Sequence, residues 1–240
     1  MRRRTILAAS AALALPRAAR ANTDVDLLLV LAVDVSRSID DEEARLQREG
    51  YRDAMLHPQV VAAVTGGPHA AIAAAYVEWA GIQYQRLVLP WTRLASPADC
   101  AAWALTLGGA SRDSMAWTSI SGALIFSRGV LADCPYTADR RVIDVSGDGI
   151  NNSGPPVTMI RDQLVAEGVV INGLPIVNDR PNFGRAPQPD LEPYYRENVI
   201  GGDGAFLIVA EDFENFGTAI RRKLLTEIAG LTPPKAPQAA

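Results

Sequence analysis

Apolar residues run almost unbroken over positions 25–33 and stop at Asp34. A run of that length without polar alternation predicts a strand covered on both faces. Residues 69–79 and 85–89 predict two more strands, with Gly81 and Gln83 between them favouring a hairpin. Further strands are predicted over 140–145, 169–176 and 205–209. Between them the spacing turns helical. An amphipathic helix follows Asp40, with Leu46, Tyr51, Ala54 and Met55 on its apolar side. Helices over 97–107, 119–131 and 157–166 come next, the last stopped by Gly168. Phe213, Phe216, Ile220, Leu224 and Ile228 recur at three and four residues and mark a closing amphipathic helix. Asp40, with Glu43 three residues on, predicts a capping box, so the acids there serve the helix end rather than chemistry. Strands alternating with helices predict an α/β fold: a doubly wound, mostly parallel sheet with helices on both faces.

Composition bears mainly on the ends of the chain. The 240 residues, 48% of them apolar, suit one domain, expected over 22–231. Arg2, Arg3 and Arg4 precede a short apolar stretch from Ile6 to Leu15, and Ala19-Arg20-Ala21 offers a small-x-small cleavage site. Residues 1–21 therefore read as a secretory signal peptide, and the protein as exported, with the periplasm as the expected compartment. Arg3-Arg4-Thr5-Ile6-Leu7, with Arg17 and Arg20 before the cut, resembles a twin-arginine signal; the general secretory route stays open. Loss of 1–21 removes five arginines and no acid, taking the formal charge from −4 to −9. An acidic chain without a basic run argues against nucleic acid as partner, and no later stretch is long and apolar enough to span a membrane. Residues 232–240 are expected to form a disordered tail. Cys100 and Cys134, the only cysteines, predict one disulfide in an oxidising compartment, with buried free thiols as the alternative.

Candidate chemistry gathers where strands end. Asp34-Val35-Ser36-Arg37-Ser38 puts three oxygen side chains at the carboxyl edge of the first strand, the edge where open α/β sheets bind ligands. Two other loops leave that edge: Trp117-Thr118-Ser119 before a helix, and Asp148 directly after a buried strand. Each alone could be a turn or a cap. Together, Asp34, Ser36, Ser38, Thr118 and Asp148 form an oxygen-only set suited to Mg²⁺ or Mn²⁺.

This constellation resembles the von Willebrand factor A domain and its metal-ion-dependent adhesion site, whose pattern is Asp-x-Ser-x-Ser, a distant Thr, and an Asp opening a later loop. The resemblance covers residues 24–229 and implies the Rossmann-like fold of that superfamily. Residues 140–149 (Arg-Arg-Val-Ile-Asp-Val-Ser-Gly-Asp-Gly) and 171–176 (Ile-Asn-Gly-Leu-Pro-Ile) look more narrowly like a bacterial exported family of unknown function, domain-of-unknown-function family 1194. Trp117 stands where the superfamily usually has Gly, and Arg37 where a small residue is common. The resemblance implies adhesion-type binding, in which a cation held largely by neutral ligands takes a carboxylate from an unidentified protein partner.

The excursion over 178–204 is long, rich in Pro, Gly and Asn, and leaves the same edge, with a short helical stretch over 191–198. Tyr194, Tyr195 and Arg196 are residue types enriched at binding hot spots, and with Trp117 they form the expected partner-binding set. A solvated insertion packed by its own tyrosines is the alternative, and Trp117 is either a rim contact or a core plug. An enzyme is not expected. His57 and His69 are the only histidines, there is no Gly-x-Ser-x-Gly elbow and no phosphate loop, and no base stands beside the candidate site. Metal-independent docking in envelope assembly and, behind it, metal-assisted hydrolysis are the competing readings.

Overall fold

β1 (Leu28–Asp34) is buried at every position because it is the middle strand of the sheet. The computed structural model describes residues 23–111, 113–177, 190–213 and 215–230; the expected leader, the tail and residues 178–189 lie outside them. Five strands take the order β3-β2-β1-β4-β5. β2 (Ile72–Trp79) and β4 (Arg141–Gly147) flank β1 in parallel, β5 (Val170–Pro175) is parallel to β4, and β3 (Gln85–Leu94) is antiparallel to β2. β3 runs five residues past the expected hairpin strand, and its pairing with β2 is irregular around Pro90, which has no N–H to give.

Alternate residues of the central strands feed two layers. Leu29, Leu31 and Val33 face a core closed by α1 (Asp41–Leu56), α2 (Pro58–Val64), α3 (Pro97–Gly109) and α7 (Phe216–Ala229). Val30 and Ala32 face the other, under α4 (Ile120–Ala132), α5 (Val157–Ala166), α6 (Leu191–Tyr194) and the π-turn Tyr195–Val199. The predicted capping box forms: Glu43 N–H donates to Asp40 Oδ1 and Asp40 N–H to Glu43 Oε2, both at 2.9 Å. α2 is an element the periodicity did not predict. His57 ends α1 and its Nδ1 accepts the Gln59 N–H at 3.3 Å, a cap followed by Pro58.

Two expectations fail. Residues 205–209 do not form a strand; the segment touches β5 only through single bridges, Gly173 with Leu207 and Ile176 with Ala210. Gly173 N–H donates to the Phe206 carbonyl and Ile208 N–H to the Gly173 carbonyl, each at 3.1 Å. The next rung would need an N–H from Pro175, which has none. Cys100 and Cys134 are free thiols rather than a bridge. Cys100 is buried in the layer of α1 and α7, whereas Cys134 packs beside Val25, Leu28 and Ala73 on the opposite side of the sheet.

Charge is buried under α7. Lys223 Nζ lies 2.5 Å from Asp144 Oδ1 and 2.5 Å from Glu227 Oε1, with Lys223 and Asp144 fully buried. Asn172 Nδ2 donates to the same Glu227 oxygen at 2.9 Å. Lys223→Met should destabilise the protein by roughly 3–5 kcal/mol in urea melts, because it strands two acids without a counter-ion. Burial, reinforced by the Glu227 charge and opposed by Lys223, pushes the Asp144 carboxyl up to about 7. An unfolded Asp titrates near ~4, so the folded state holds an extra proton between these values. The contribution of Asp144 to stability is therefore full below about pH 4 and lost as pH rises toward 7. Asp144→Asn should show a flatter stability–pH curve than the parent in that window.

Candidate functional site

β1 and β4 run side by side and parallel, so their carboxyl ends open at one edge. Asp34 ends β1, and Asp148 follows Gly147 at the end of β4. The chain turns at once after Asp34, with Ser36 N–H donating to Asp34 Oδ1 at 2.7 Å. Ser36 Oγ and Ser38 Oγ lie 2.9 Å apart, and Ser38 Oγ donates to Asp148 Oδ1 at 2.7 Å. Four of the five candidate ligands thus form one connected set.

Thr118 comes from the third loop, which is tied to both others. Met115 bridges Ser36, and Arg37 N–H donates to the Met115 carbonyl at 3.0 Å. Thr118 N–H donates to Asn152 Oδ1 at 2.8 Å, and Asn152 N–H returns to the Thr118 carbonyl at 2.9 Å. Ser119 caps α4 by accepting the Gly122 N–H at 3.1 Å, leaving Thr118 just outside the helix. Residues 110–111, where this loop begins, are held by a clamp. Glu78 is buried between Arg48 (2.5 Å) and Arg86 (2.7 Å), and both guanidinium groups donate to the Ser111 carbonyl.

The electrostatics are those of acids short of positive charge. Burial, followed by the charge of Asp148, raises the Asp34 carboxyl well above the usual carboxylate range. Burial pushes Asp148 up to about 6, with the Ser38 hydrogen bond opposing and the Glu43 charge adding to it. Asp34 is fully buried, yet its Oδ2 has no hydrogen-bond partner among the described residues. A buried carboxylate oxygen without a donor is costly unless a cation meets it. Two carboxylates and three hydroxyls, all oxygen, fit a hard divalent cation. No three His, Cys, Asp or Glu side chains cluster as ligands among the described residues, so such a cation would rest on two acids and neutral donors. Gly147 leaves room here: a Cβ on it would lie 2.9 Å from Asp34 Oδ2 and 3.0 Å from Tyr195 Oη.

The expected partner-binding residues divide. Trp117 is 66% exposed, which settles the rim against the core plug. Its φ is +72°, a left-handed conformation that a bulky side chain rarely adopts, and it sits against Gly81, where a Cβ would meet the Ala116 carbonyl at 2.8 Å. Tyr195 is fully buried and is not a surface contact. It belongs to the stripe Leu191, Tyr195, Val199 packed on the sheet, a spacing of four that was visible in the sequence. Burial, then the Asp34 charge, raises its hydroxyl well above the ordinary tyrosine value. Tyr194 is half-buried, and its hydroxyl accepts the Asn151 N–H at 3.2 Å. Arg196 is exposed and paired with Glu192 at 2.6 Å. The sequence does not single out Asn151, Asn152 or the Glu78 clamp, and it offers Glu43 as a helix cap only, not as a charge acting on Asp148. Two adjacent asparagines directly after the Asp148 turn are the signal that could have pointed to Asn151 and Asn152; none points to the clamp.

A family model described as a protein of unknown function (DUF1194) matches residues 24–232. No curated protein sequence matches the chain. Solved structures are similar in fold at low identity. Proximal thread matrix protein 1 from the mussel byssus, with a zinc-occupied MIDAS motif, is 17% identical with a TM-score of 0.60, over 85% of this chain and 46% of that one. A von Willebrand factor type A protein from Catenulispora acidiphila is 13% identical with a TM-score of 0.59, over 85% and 43%. The conserved hypothetical protein BatB from Bacteroides thetaiotaomicron is 14% identical with a TM-score of 0.57, over 85% and 99%. This chain therefore spans less than half the length of the first two. These neighbours give the fold as that of a von Willebrand factor A domain.

Because the Trp117 side chain is exposed, Trp117→Ala and Trp117→Gly should both stay within about 1 kcal/mol of the parent in denaturant melts, where a core tryptophan would cost roughly 3–5 kcal/mol.

Proposed function

The chain belongs to the DUF1194 family of proteins of unknown function, and on that premise we propose that it is an exported protein-binding domain that captures an acidic group of a partner in a metal-dependent way. The observation that carries the reading is the buried, partnerless Asp34 Oδ2 beside a second raised carboxyl, with Ser36 and Ser38 in the same hydrogen-bonded set. Asp34, Ser36, Ser38, Thr118 and Asp148 would hold Mg²⁺ or Mn²⁺, which when bound supplies uncompensated positive charge and an exchangeable position for a carboxylate. The fold neighbour with zinc at its MIDAS motif supports the same assignment.

The chain's own residues do the rest. Ser36 N–H fixes one oxygen of Asp34, Ser38 orients Asp148, and Asn152 holds the backbone on both sides of Thr118. Trp117 stands at the rim next to Thr118 as a specificity contact, and Tyr194 steadies the loop after Asp148 through Asn151. Binding rather than turnover is the reading, since His57 is used as a helix cap and His69 lies in an exposed turn, its N–H donating to Asp26 Oδ1 at 2.9 Å. Export to the periplasm rests on the leader read over residues 1–21. Among the described residues no helix is long and apolar enough to cross a membrane.

Calorimetry with Mg²⁺ and Mn²⁺ is expected to give one site per chain, lost or strongly weakened in Asp34→Ala and Asp148→Ala. Capture of partners from envelope extract should then fall in chelator and in Thr118→Ala. Metal binding by those variants equal to the parent would sink the assignment, and capture undiminished by chelator would favour metal-independent docking in its place.

A further inference from the structure

Nine large apolar side chains are exposed among the described residues, and five of them are dispersed, one each on α1, β3, α3, α4 and α5: Leu56, Leu87, Leu105, Ile125 and Met159. Isolated cases of that kind are ordinary on any surface. The other four are not dispersed. Trp117 is 66% exposed, Met115 44%, Ile82 38% and Ile150 38%, and all four come from the loops at the Asp34 edge. Met115 bridges Ser36. Trp117 packs over Gly81, whose added Cβ would lie 3.1 Å from the Trp117 Cβ. Ile82 follows that glycine; its N–H donates to Ser153 Oγ at 3.4 Å and its Cδ1 lies 2.9 Å from where a Cβ on Gly154 would stand. Ile150 is two residues past Asp148. A collar of bulky apolar groups therefore rings a polar, acid-lined centre.

Two further observations say what the collar is for. Trp117 keeps a left-handed backbone, a conformation unfavourable for a bulky side chain, while its ring gains little burial in the free protein. Arg37, between Ser36 and Ser38, is exposed, and its guanidinium has no hydrogen bond or ion pair among the described residues. On a chain of net charge −4, a cation at the centre with Arg37 at the mouth is a local reversal of sign. Acidic groups would be drawn to this one place, and whatever flanks them would then meet Trp117, Met115, Ile82 and Ile150.

We propose that this edge recognises a protein segment in which an acidic residue is directly flanked by large apolar side chains. The carboxylate enters the centre and the flanking groups cover the collar. The proposal rests on the cation-dependent reading of the centre and adds to it the sequence class of the partner. Acid alone sets the position, and burial of apolar area on the collar sets most of the affinity difference between acidic segments.

The test uses the purified protein, Mg²⁺ and two labelled synthetic peptides, Gly-Ser-Leu-Asp-Phe-Ser-Gly and Gly-Ser-Ser-Asp-Ser-Ser-Gly, with binding read by fluorescence anisotropy. The apolar-flanked peptide is expected to bind about tenfold more tightly or better. Ile82→Ser and Met115→Ser should each pull that ratio toward one, while calorimetric Mg²⁺ binding and the melting temperature stay at the parent values. A ratio near one in the parent overturns the collar and leaves the carboxylate reading standing. Equal binding of a Leu-Asn-Phe version overturns it too, since the patch would then be a general apolar surface. Loss of preference for the apolar flanks only where Mg²⁺ binding is also lost would trace the effect to the centre and likewise overturn the collar. Binding undiminished by chelator, or no binding of either acidic peptide by Mg²⁺-loaded protein, overturns the reading of the centre itself.

Discussion

One carboxylate sets the terms for this molecule. Asp34 ends the middle strand of the sheet and is fully buried, with one oxygen held by the turn that follows and the other left bare. An ionised group in that position is costly, and among the described residues no arginine or lysine answers it. It surrounds the site with hydroxyls, a second acid and a glycine that stays out of the way. The arrangement makes sense only because β1, β2 and β4 are parallel neighbours. Their carboxyl ends must open together, and the loops that leave them must meet.

What keeps those loops in place is mostly polar, and part of it lies away from the centre. Asn152 grips the backbone of Thr118, Met115 bridges Ser36, and Glu78 with Arg48 and Arg86 fixes the start of the same loop. Bonds of this kind act on main-chain position, so the loops are already placed in the free protein, which would lower the ordering cost of the proposed binding. The buried Lys223, Asp144 and Glu227 group ties α7 to β4 by the same logic, on the layer that α7 shares with α1. The core is apolar in bulk, but its geometry is fixed at a few charged points.

Much of this was legible in the sequence, because it depends on local order. The uninterrupted apolar run of β1, the Asp40–Glu43 box and the bounds of α5 follow from spacing and capping alone. The residues at the strand ends could be grouped because the alternation of strands and helices fixes which ends coincide. Features that depend on pairing or on sides of the sheet were not legible. Residues 205–209 have strand composition, but whether they form a ladder depends on Pro175, some thirty residues earlier. Cys100 and Cys134 are few enough to suggest a bridge, yet only the layers reveal that the sheet lies between them. Tyr195 is of a type enriched at binding hot spots and sits on an excursion from the loop-bearing edge, which suggests a surface contact, whereas Leu191 and Val199, four residues to either side, are the better guide to its burial. The Glu78 clamp joins residues from α1, β2 and β3, and no spacing rule connects them.

The two rims of the sheet carry a consequence of their own. β3, at one side, holds Arg86, Pro90 and Arg93, and its ladder is irregular at the proline. At the other side the ladder beside β5 is interrupted where Pro175 can offer no hydrogen. Neither side presents the long, regular row of free amides and carbonyls that lets one chain zip onto another. Among the described residues, adding a strand is therefore disfavoured at both flanks, as is fibre-like stacking of copies. A partner held as proposed would then be gripped by side chains at the loop-bearing end rather than by extension of the sheet.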